Sequence, residues 1–202
     1  MMPLWYRLLR WIVRQFFSVI FRIEVRGPLR VPEGPLIVAA NHFSAWDPPL
    51  VGVVLPRALH FMAKEELFRI PLLGRLLRSL GAFPVRRDYA DRRAVTTTLR
   101  LLRAGRAVAM FPEGTRFRRG KDGRPGPARG GIAVLAAMSG APVLPVAIRG
   151  RYRFRGRIAV AVGEPVQLPA HARDLPKEEL QALAETEIMA RIRALWDDLG
   201  TL

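Results

Sequence analysis

The chain has 202 residues, half of them hydrophobic, which suits one domain with a substantial core and excludes a disordered chain. It contains no cysteine, so disulfides, thiolate metal sites and a cysteine nucleophile are excluded. Lys and Arg number 33 against 17 Asp and Glu, a formal charge of +16 carried almost wholly by arginine; this points to a polyanionic partner without choosing among nucleic acid, an anionic membrane face and phosphorylated small molecules.

Pro3 to Phe21 reads as a helix. At about 100° per residue, Arg7, Arg10, Arg14, Ser18 and Arg22 fall on one stripe, and the rest of the circumference is apolar and Trp-rich. Arginines interrupt the run too often for a spanning helix of roughly 20 apolar residues, and no unbroken apolar block marks a signal peptide. The pattern predicts an amphipathic helix lying in a membrane surface, arginines at phosphate level and aromatics below. A first helix packed on the domain is the alternative. Residues 1–22 are therefore read as a membrane-association helix and 23–202 as the folded domain.

Next come a strand at Ile23 to Arg26, a turn through Val31-Pro32-Glu33-Gly34-Pro35, and a buried strand at Leu36 to Ala40. Helix and strand then alternate: a helix from Pro48 to Leu55, a strand at Leu59 to Ala63, helices around Leu67 to Leu80, a strand at Ala82 to Val85, a helix at Asp91 to Ala104. A strand at Ala107 to Phe111 leads into an irregular stretch to Arg129. A helix at Ile132 to Ser139, strands at Val143 to Ile148 and Ile158 to Val162, and one amphipathic helix from Leu175 to Leu199 complete the chain. This alternation predicts an α/β fold with a mostly parallel central sheet flanked by helices.

In such sheets, ligands bind beyond the carboxyl ends of the strands. Leu36 to Ala40 runs into Asn41-His42-Phe43-Ser44-Ala45-Trp46-Asp47, Leu59 to Ala63 into Lys64, Ala82 to Val85 into Arg86-Arg87, and Ala107 to Phe111 into Pro112-Glu113-Gly114-Thr115-Arg116. One imidazole, two carboxylates and several cations thus share one edge, as a general base and an anionic substrate require. His42 and Asp47 can meet only if the chain turns between them; Pro48 suits the first helical position, which would leave Asp47 as N-cap with one oxygen free for the imidazole. Arg118, in a Gly- and Pro-rich loop, is a further cation near this edge. His60 and His171 stand alone and read as structural.

These segments resemble the glycerophospholipid acyltransferase family, which includes bacterial 1-acyl-glycerol-3-phosphate acyltransferases. Asn41-His42, four residues and Asp47 match its first block, Gly81-Ala82-Phe83-Pro84-Val85-Arg86 its second, Phe111-Pro112-Glu113-Gly114-Thr115-Arg116 its third and Val143-Leu144-Pro145-Val146-Ala147-Ile148 its fourth. The resemblance implies transfer of an acyl group from acyl-CoA or acyl carrier protein, as co-substrate, to the sn-2 hydroxyl of 1-acyl-glycerol-3-phosphate, giving phosphatidic acid. It implies no metal or bound cofactor. His42 would be the base, Asp47 its orienting partner, and Arg86 and Arg116 the phosphate ligands; Glu113, Gly114 and Thr115 would shape the acceptor site, with Lys64 as a further cation. Pro84 and the Arg-, Gly- and Pro-rich loop after Arg116 depart from the family pattern, and Arg129 stands where a lysine is common.

The expected partners are lysophosphatidic acid, an acyl thioester and an anionic membrane surface, with acyl carrier protein a further candidate and nucleic acid not expected. The expected place is the cytoplasmic face of the membrane, peripheral or monotopic. Rival readings are an acyltransferase for another lysophospholipid or an amino-acid lysolipid, and a non-catalytic basic domain binding lipid or nucleic acid.

Overall fold

A computed structural model describes residues 4–86, 91–116, 123–129 and 131–200. Seven strands form one sheet: β1 Arg22–Arg26, β2 Leu36–Ala40, β3 Leu59–Lys64, β4 Phe83–Val85, β5 Ala107–Met110, β6 Val143–Gly150 and β7 Arg157–Val162. Their order is β1-β7-β6-β2-β5-β3-β4. The strands β6, β2, β5, β3 and β4 are mutually parallel, β7 runs antiparallel to β6, and β1 closes the edge parallel to β7. The expected α/β class with a mostly parallel sheet is the observed one.

The helices are α1 Leu4–Ile20, α2 Asp47–Val54, α3 Pro71–Ser79, α4 Arg92–Arg103, α5 Gly131–Ser139, α6 Lys177–Leu183 and α7 Ala190–Asp198. The central strand β2 reads Leu-Ile-Val-Ala-Ala and is buried at every position, the continuous apolar run of a strand covered on both faces. Its alternate side chains enter two cores. Ile37 and Ala39 pack with Leu99, Ile132, Ile192 and Trp196 under α4, α5 and α7. Leu36, Val38 and Ala40 pack with Phe17, Phe21, Leu50 and Val51 under α1 and α2. Pro84 is accommodated because β4 is an edge strand with only β3 as neighbour.

Three local features differ from the sequence expectation. Arg10 does not join a solvent-facing stripe; its guanidinium donates to the carbonyls of Val53 and Leu55 at the end of α2, whose last carbonyls otherwise lack partners. The single helix expected over 175–199 starts at Lys177, after a separate 3₁₀ turn at Ala170–Asp174, and is widened by a π turn at Ala184–Met189 between α6 and α7. That turn sends Ala184, Ile188 and Met189 into the core, while the Glu185 carboxylate accepts the Ala128 N–H, a spacing that hydrophobic periodicity alone does not reveal. Asp47, finally, is the first residue of α2, with Trp46 as its N-cap and no side-chain cap.

Tyr6 and Phe17 of α1 are buried, with Val13 and Ile20 partly so. Leu4, Trp5, Leu8, Trp11, Ile12, Phe16 and Val19 on the opposite sector are exposed. Among the described residues no helix is long and apolar enough to cross a membrane.

Candidate active site

The site begins where β2, fourth of seven strands, ends. Asn41 is fully buried: its amide nitrogen donates to Gly123 O and Ile148 O, at 2.7 and 2.8 Å, and its oxygen accepts Ile148 N–H at 2.7 Å. These bonds fix the end of β2 against β6 and the 123–129 segment. The chain then turns sharply, and the Asp47 carboxylate closes the turn from inside. Its Oδ2 accepts the backbone N–H of Phe43 at 2.8 Å, that of Ser44 at 2.7 Å, and the imidazole Nδ1 of His42 at 2.8 Å. Its Oδ1 accepts the Tyr152 hydroxyl at 2.7 Å. The expected helix-capping role of Asp47 is thus replaced by an inward one: no side-chain cap bond forms, and all four donors lie outside α2.

This arrangement fixes the imidazole. Asp47 is a pure acceptor here, so His42 carries its proton on Nδ1 and presents the Nε2 lone pair outward. The Phe111 ring stacks on the imidazole, centroids 4.1 Å apart and planes 22° from parallel, restricting its rotation. His42 is 5% exposed and Asp47 0%, so the pair is shielded except along the imidazole edge. A neutral, oriented imidazole backed by a buried carboxylate can take a proton from a weak nucleophile such as an alcohol.

Glu113 anchors the same histidine by its backbone. Its Oε2 accepts His42 N–H at 2.9 Å and its Oε1 accepts Gly126 N–H at 2.7 Å. Burial pushes the Glu113 carboxyl up to about 7, against the pull of those two N–H donors and with the Asp47 charge adding to the rise. Both oxygens are engaged, so Glu113 holds the histidine in place between β2 and the 123–129 segment.

Gly114 has φ +69° and closes a turn through its N–H to Phe111 O. A Cβ there would stand 2.7 Å from Arg129 Cδ, so the glycine lets Arg129 lie across the turn. Thr115 and Arg116 follow it, exposed. Lys64 ends β3 and Arg86 follows β4, two and three strands from β2, or about 10 and 14 Å at ordinary strand spacing. Lys64 pairs with Glu66 at 3.1 Å, and Arg86 Nε donates to Glu65 at 2.7 Å while its backbone N–H bonds Asp91. His42, Asp47 and Glu113 are therefore brought together; Lys64, Arg86, Thr115 and Arg116 line the same sheet edge at a distance. Arg87 and Arg118 lie outside the described residues.

Sequence reasoning gave no role to Asn41, Phe111, Tyr152 or Gly126. Phe111 could have been found from strand register, since β5 lies beside β2 and Ala39 pairs with Met110. Tyr152, 105 positions from Asp47, carries no local signal.

The chain is similar to known proteins over most of its length. The family model described as Acyltransferase matches residues 22–149, a span that holds every one of these residues except Tyr152. The 1-acyl-sn-glycerol-3-phosphate acyltransferase of Bacillus subtilis (strain 168) is 33% identical over 193 residues, 89% of this chain and 94% of that protein. The lyso-ornithine lipid O-acyltransferase of Pseudomonas aeruginosa is 37% identical over 115 residues, 56% of this chain and 43% of that protein. The crystal structure of the 1-acyl-sn-glycerophosphate (LPA) acyltransferase PlsC from Thermotoga maritima superposes with a TM-score of 0.75 at 26% identity, covering 98% of this chain and 80% of that one. With its fold, its matched span and its near full-length relative in agreement, the chain belongs to the acyltransferase family.

Proposed function

We propose that the chain transfers a fatty acyl group from a thioester, acyl-CoA or acyl carrier protein, to the sn-2 hydroxyl of 1-acyl-glycerol-3-phosphate, giving phosphatidic acid. The observation that carries this reading is the buried His42–Asp47 pair at 2.8 Å, with the second imidazole nitrogen turned away from its partner. His42 Nε2 takes the hydroxyl proton as the oxygen attacks the thioester carbonyl. The tetrahedral intermediate collapses with loss of thiolate, which recovers the proton from the imidazolium. Asp47 steadies that imidazolium. Arg116 and Arg86, with Lys64 beside them, hold the acceptor phosphate along the sheet edge, and orientation of this kind supplies a large part of the rate gain. The relatives from B. subtilis and T. maritima, named for this acceptor, support it.

The reaction takes place at the cytoplasmic membrane surface, with the protein peripheral or monotopic. Its support is the exposed apolar sector of α1, a cost in water that a lipid surface would remove. Phe16 of that sector stacks on Trp46, centroids 5.7 Å apart, and Trp46 immediately precedes Asp47, so a membrane under α1 lies next to the site. A second acceptor reading, an amino-acid lysolipid, is favoured by the 37% identity to the lyso-ornithine lipid enzyme.

One assay tests both. Purified protein is given acyl-CoA or acyl carrier protein and a panel of lysolipids including lysophosphatidic acid and lyso-ornithine lipid, with thiol release as signal and product mass as check. Transfer to lysophosphatidic acid, lowered by about 10²–10⁴ in His42→Ala, is expected. Transfer only to another acceptor would replace the substrate, and full activity in His42→Ala would overturn the mechanism.

A further inference from the structure

The turn joining β6 to β7 is unusual for a water-facing loop. Residues 149–163 contain no acidic side chain, and Arg151, Arg153 and Arg155 alternate with Tyr152 and Phe154. Phe154 is 73% exposed at the tip. The three arginines are exposed and, among the described residues, have no carboxylate partner, whereas Arg157 beyond them is paired with Glu24. Arg155 adopts φ 57°, the left-handed region that a residue with a Cβ ordinarily avoids. That conformation is held by its own N–H, which donates to Ile20 O at the end of α1 at 2.7 Å, and by Gly156 O, which accepts Arg22 N–H at 2.9 Å. The turn is thus bonded to α1 at the place where the exposed apolar sector of that helix ends in Phe16 and Val19.

We propose that the β6–β7 turn, residues 151–156, is a second lipid-docking element, seating Phe154 among acyl chains and its flanking arginines on the phosphates of an anionic bilayer. This rests on the membrane-surface part of the function proposed above. An aromatic ring between cations matches the two layers of a membrane surface, apolar below and anionic above. A nucleic acid would satisfy the arginines but leave the adjoining apolar sector of α1, with Leu4, Leu8, Ile12 and Val19, in water. The placement also has a chemical consequence: Tyr152, inside the same turn, holds Asp47. One short segment therefore touches the lipid on its outer side and the catalytic carboxylate on its inner side, which aligns the imidazole with the headgroup layer where a lysolipid hydroxyl resides.

The test uses the full chain and three variants, R151Q/R153Q, F154S and their combination, each first matched to the wild type in thermal midpoint. Binding is measured by sedimentation with phosphatidylcholine vesicles, with and without about a third phosphatidylglycerol. R151Q/R153Q is expected to weaken binding to the anionic vesicles about 25-fold, roughly fivefold per arginine, and to leave neutral vesicles unaffected. F154S should weaken both several-fold. Wild-type binding by the combined variant would overturn the proposal, as would a loss confined to a single-stranded oligonucleotide. Thiol release with a short-chain monomeric acceptor and no vesicles should stay within about twofold; a larger fall would place the turn in catalysis and overturn docking as its role. A wild type that binds vesicles through this turn yet acylates no acceptor would refute the catalytic reading and leave this one standing.

Discussion

Asp47 takes four hydrogen bonds, and only one comes from the histidine it serves. The Tyr152 hydroxyl is the one on the opposite oxygen, and burial first, then the Asp47 charge, holds that hydroxyl protonated well above its ordinary range. It fixes the carboxylate from the side opposite the imidazole. Tyr152→Phe should therefore loosen the carboxylate that orients His42 and lower kcat/KM about tenfold, the worth of one bond to a charged group, through kcat with KM little changed. An unchanged kcat would reduce Tyr152 to a packing residue. Glu113 gives a stability signature instead. Its folded carboxyl near 7 lies above the unfolded value of 4.5, so the native state binds this proton more tightly. The stability it contributes is complete below about pH 4.5 and is lost as pH rises through 7, a change of about 3 kcal/mol. Glu113→Gln should flatten that part of the stability–pH curve in denaturant titrations, and equal curves for both proteins would remove the assignment. At this scale the sequence reading reached the residues whose types announce chemistry, His42, Asp47 and Glu113. It could not reach Tyr152, nor the place of Arg129 across the Gly114 turn, since both depend on how β6, β7 and the 123–129 segment close over the sheet edge.

Elements decide how firmly those residues are held. The strands were legible because Leu36 to Ala40, Ala107 to Met110 and Val143 to Ile148 are short apolar runs between turn formers, the signature of strands covered on both faces. The order of the strands was not, since it depends on long-range pairing such as β1 with β7. The face of α1 that packs inward was also hidden, because the helix is apolar almost all round. Phe17, 1% exposed, and Phe21 belong to the core over β2, so a division of the chain at residue 22 runs through a packed face. Point substitution rather than truncation is the right probe of docking there. The π turn acts on the site from the far side. Glu185 accepts Ala128 N–H at 2.8 Å and pairs with Arg193, which in turn donates to Gly126 O at 3.0 Å. Gly126 N–H is the donor that engages Glu113. Glu185→Ala should cost about 1 kcal/mol, or about 2–4 °C in Tm for a domain of this size. It should also speed hydrogen exchange at the 123–129 amides and lower kcat more than it raises KM. Unchanged exchange at Gly126 would show that the helix does not brace the segment.

For the whole molecule, the question left by composition was which polyanion the charge of +16 addresses, and the distribution of exposed apolar surface argues for lipid. Seven exposed apolar side chains lie on one sector of α1, flanked by Arg7 and Arg14, and the β6–β7 turn that carries Phe154 and its arginines is bonded to the end of that helix through Arg155 N–H and Ile20 O. The two contributions separate by their response to salt. Charges on the surface are screened over about 10 Å at 0.1 M salt and about 3 Å at 1 M, whereas burial of apolar area is not screened. Trp5 and Trp11 are half exposed on this sector and report insertion directly. In a Trp46→Phe background, which removes the exposed indole stacked on Phe16, their emission should shift to the blue with either neutral or anionic vesicles, and further Trp5→Phe and Trp11→Phe substitutions should abolish most of that shift. Raising salt from about 0.05 to 0.5 M should weaken binding to anionic vesicles by more than about tenfold and leave binding to neutral vesicles unchanged. Equal salt dependence on both would mean that arginine does not read the headgroups, and a blue shift retained without Trp5 and Trp11 would place the contact elsewhere. The expected pattern, a salt-resistant apolar seat with a salt-sensitive charge preference, is what a site needs if its acceptor is an anionic lipid reached from the membrane side.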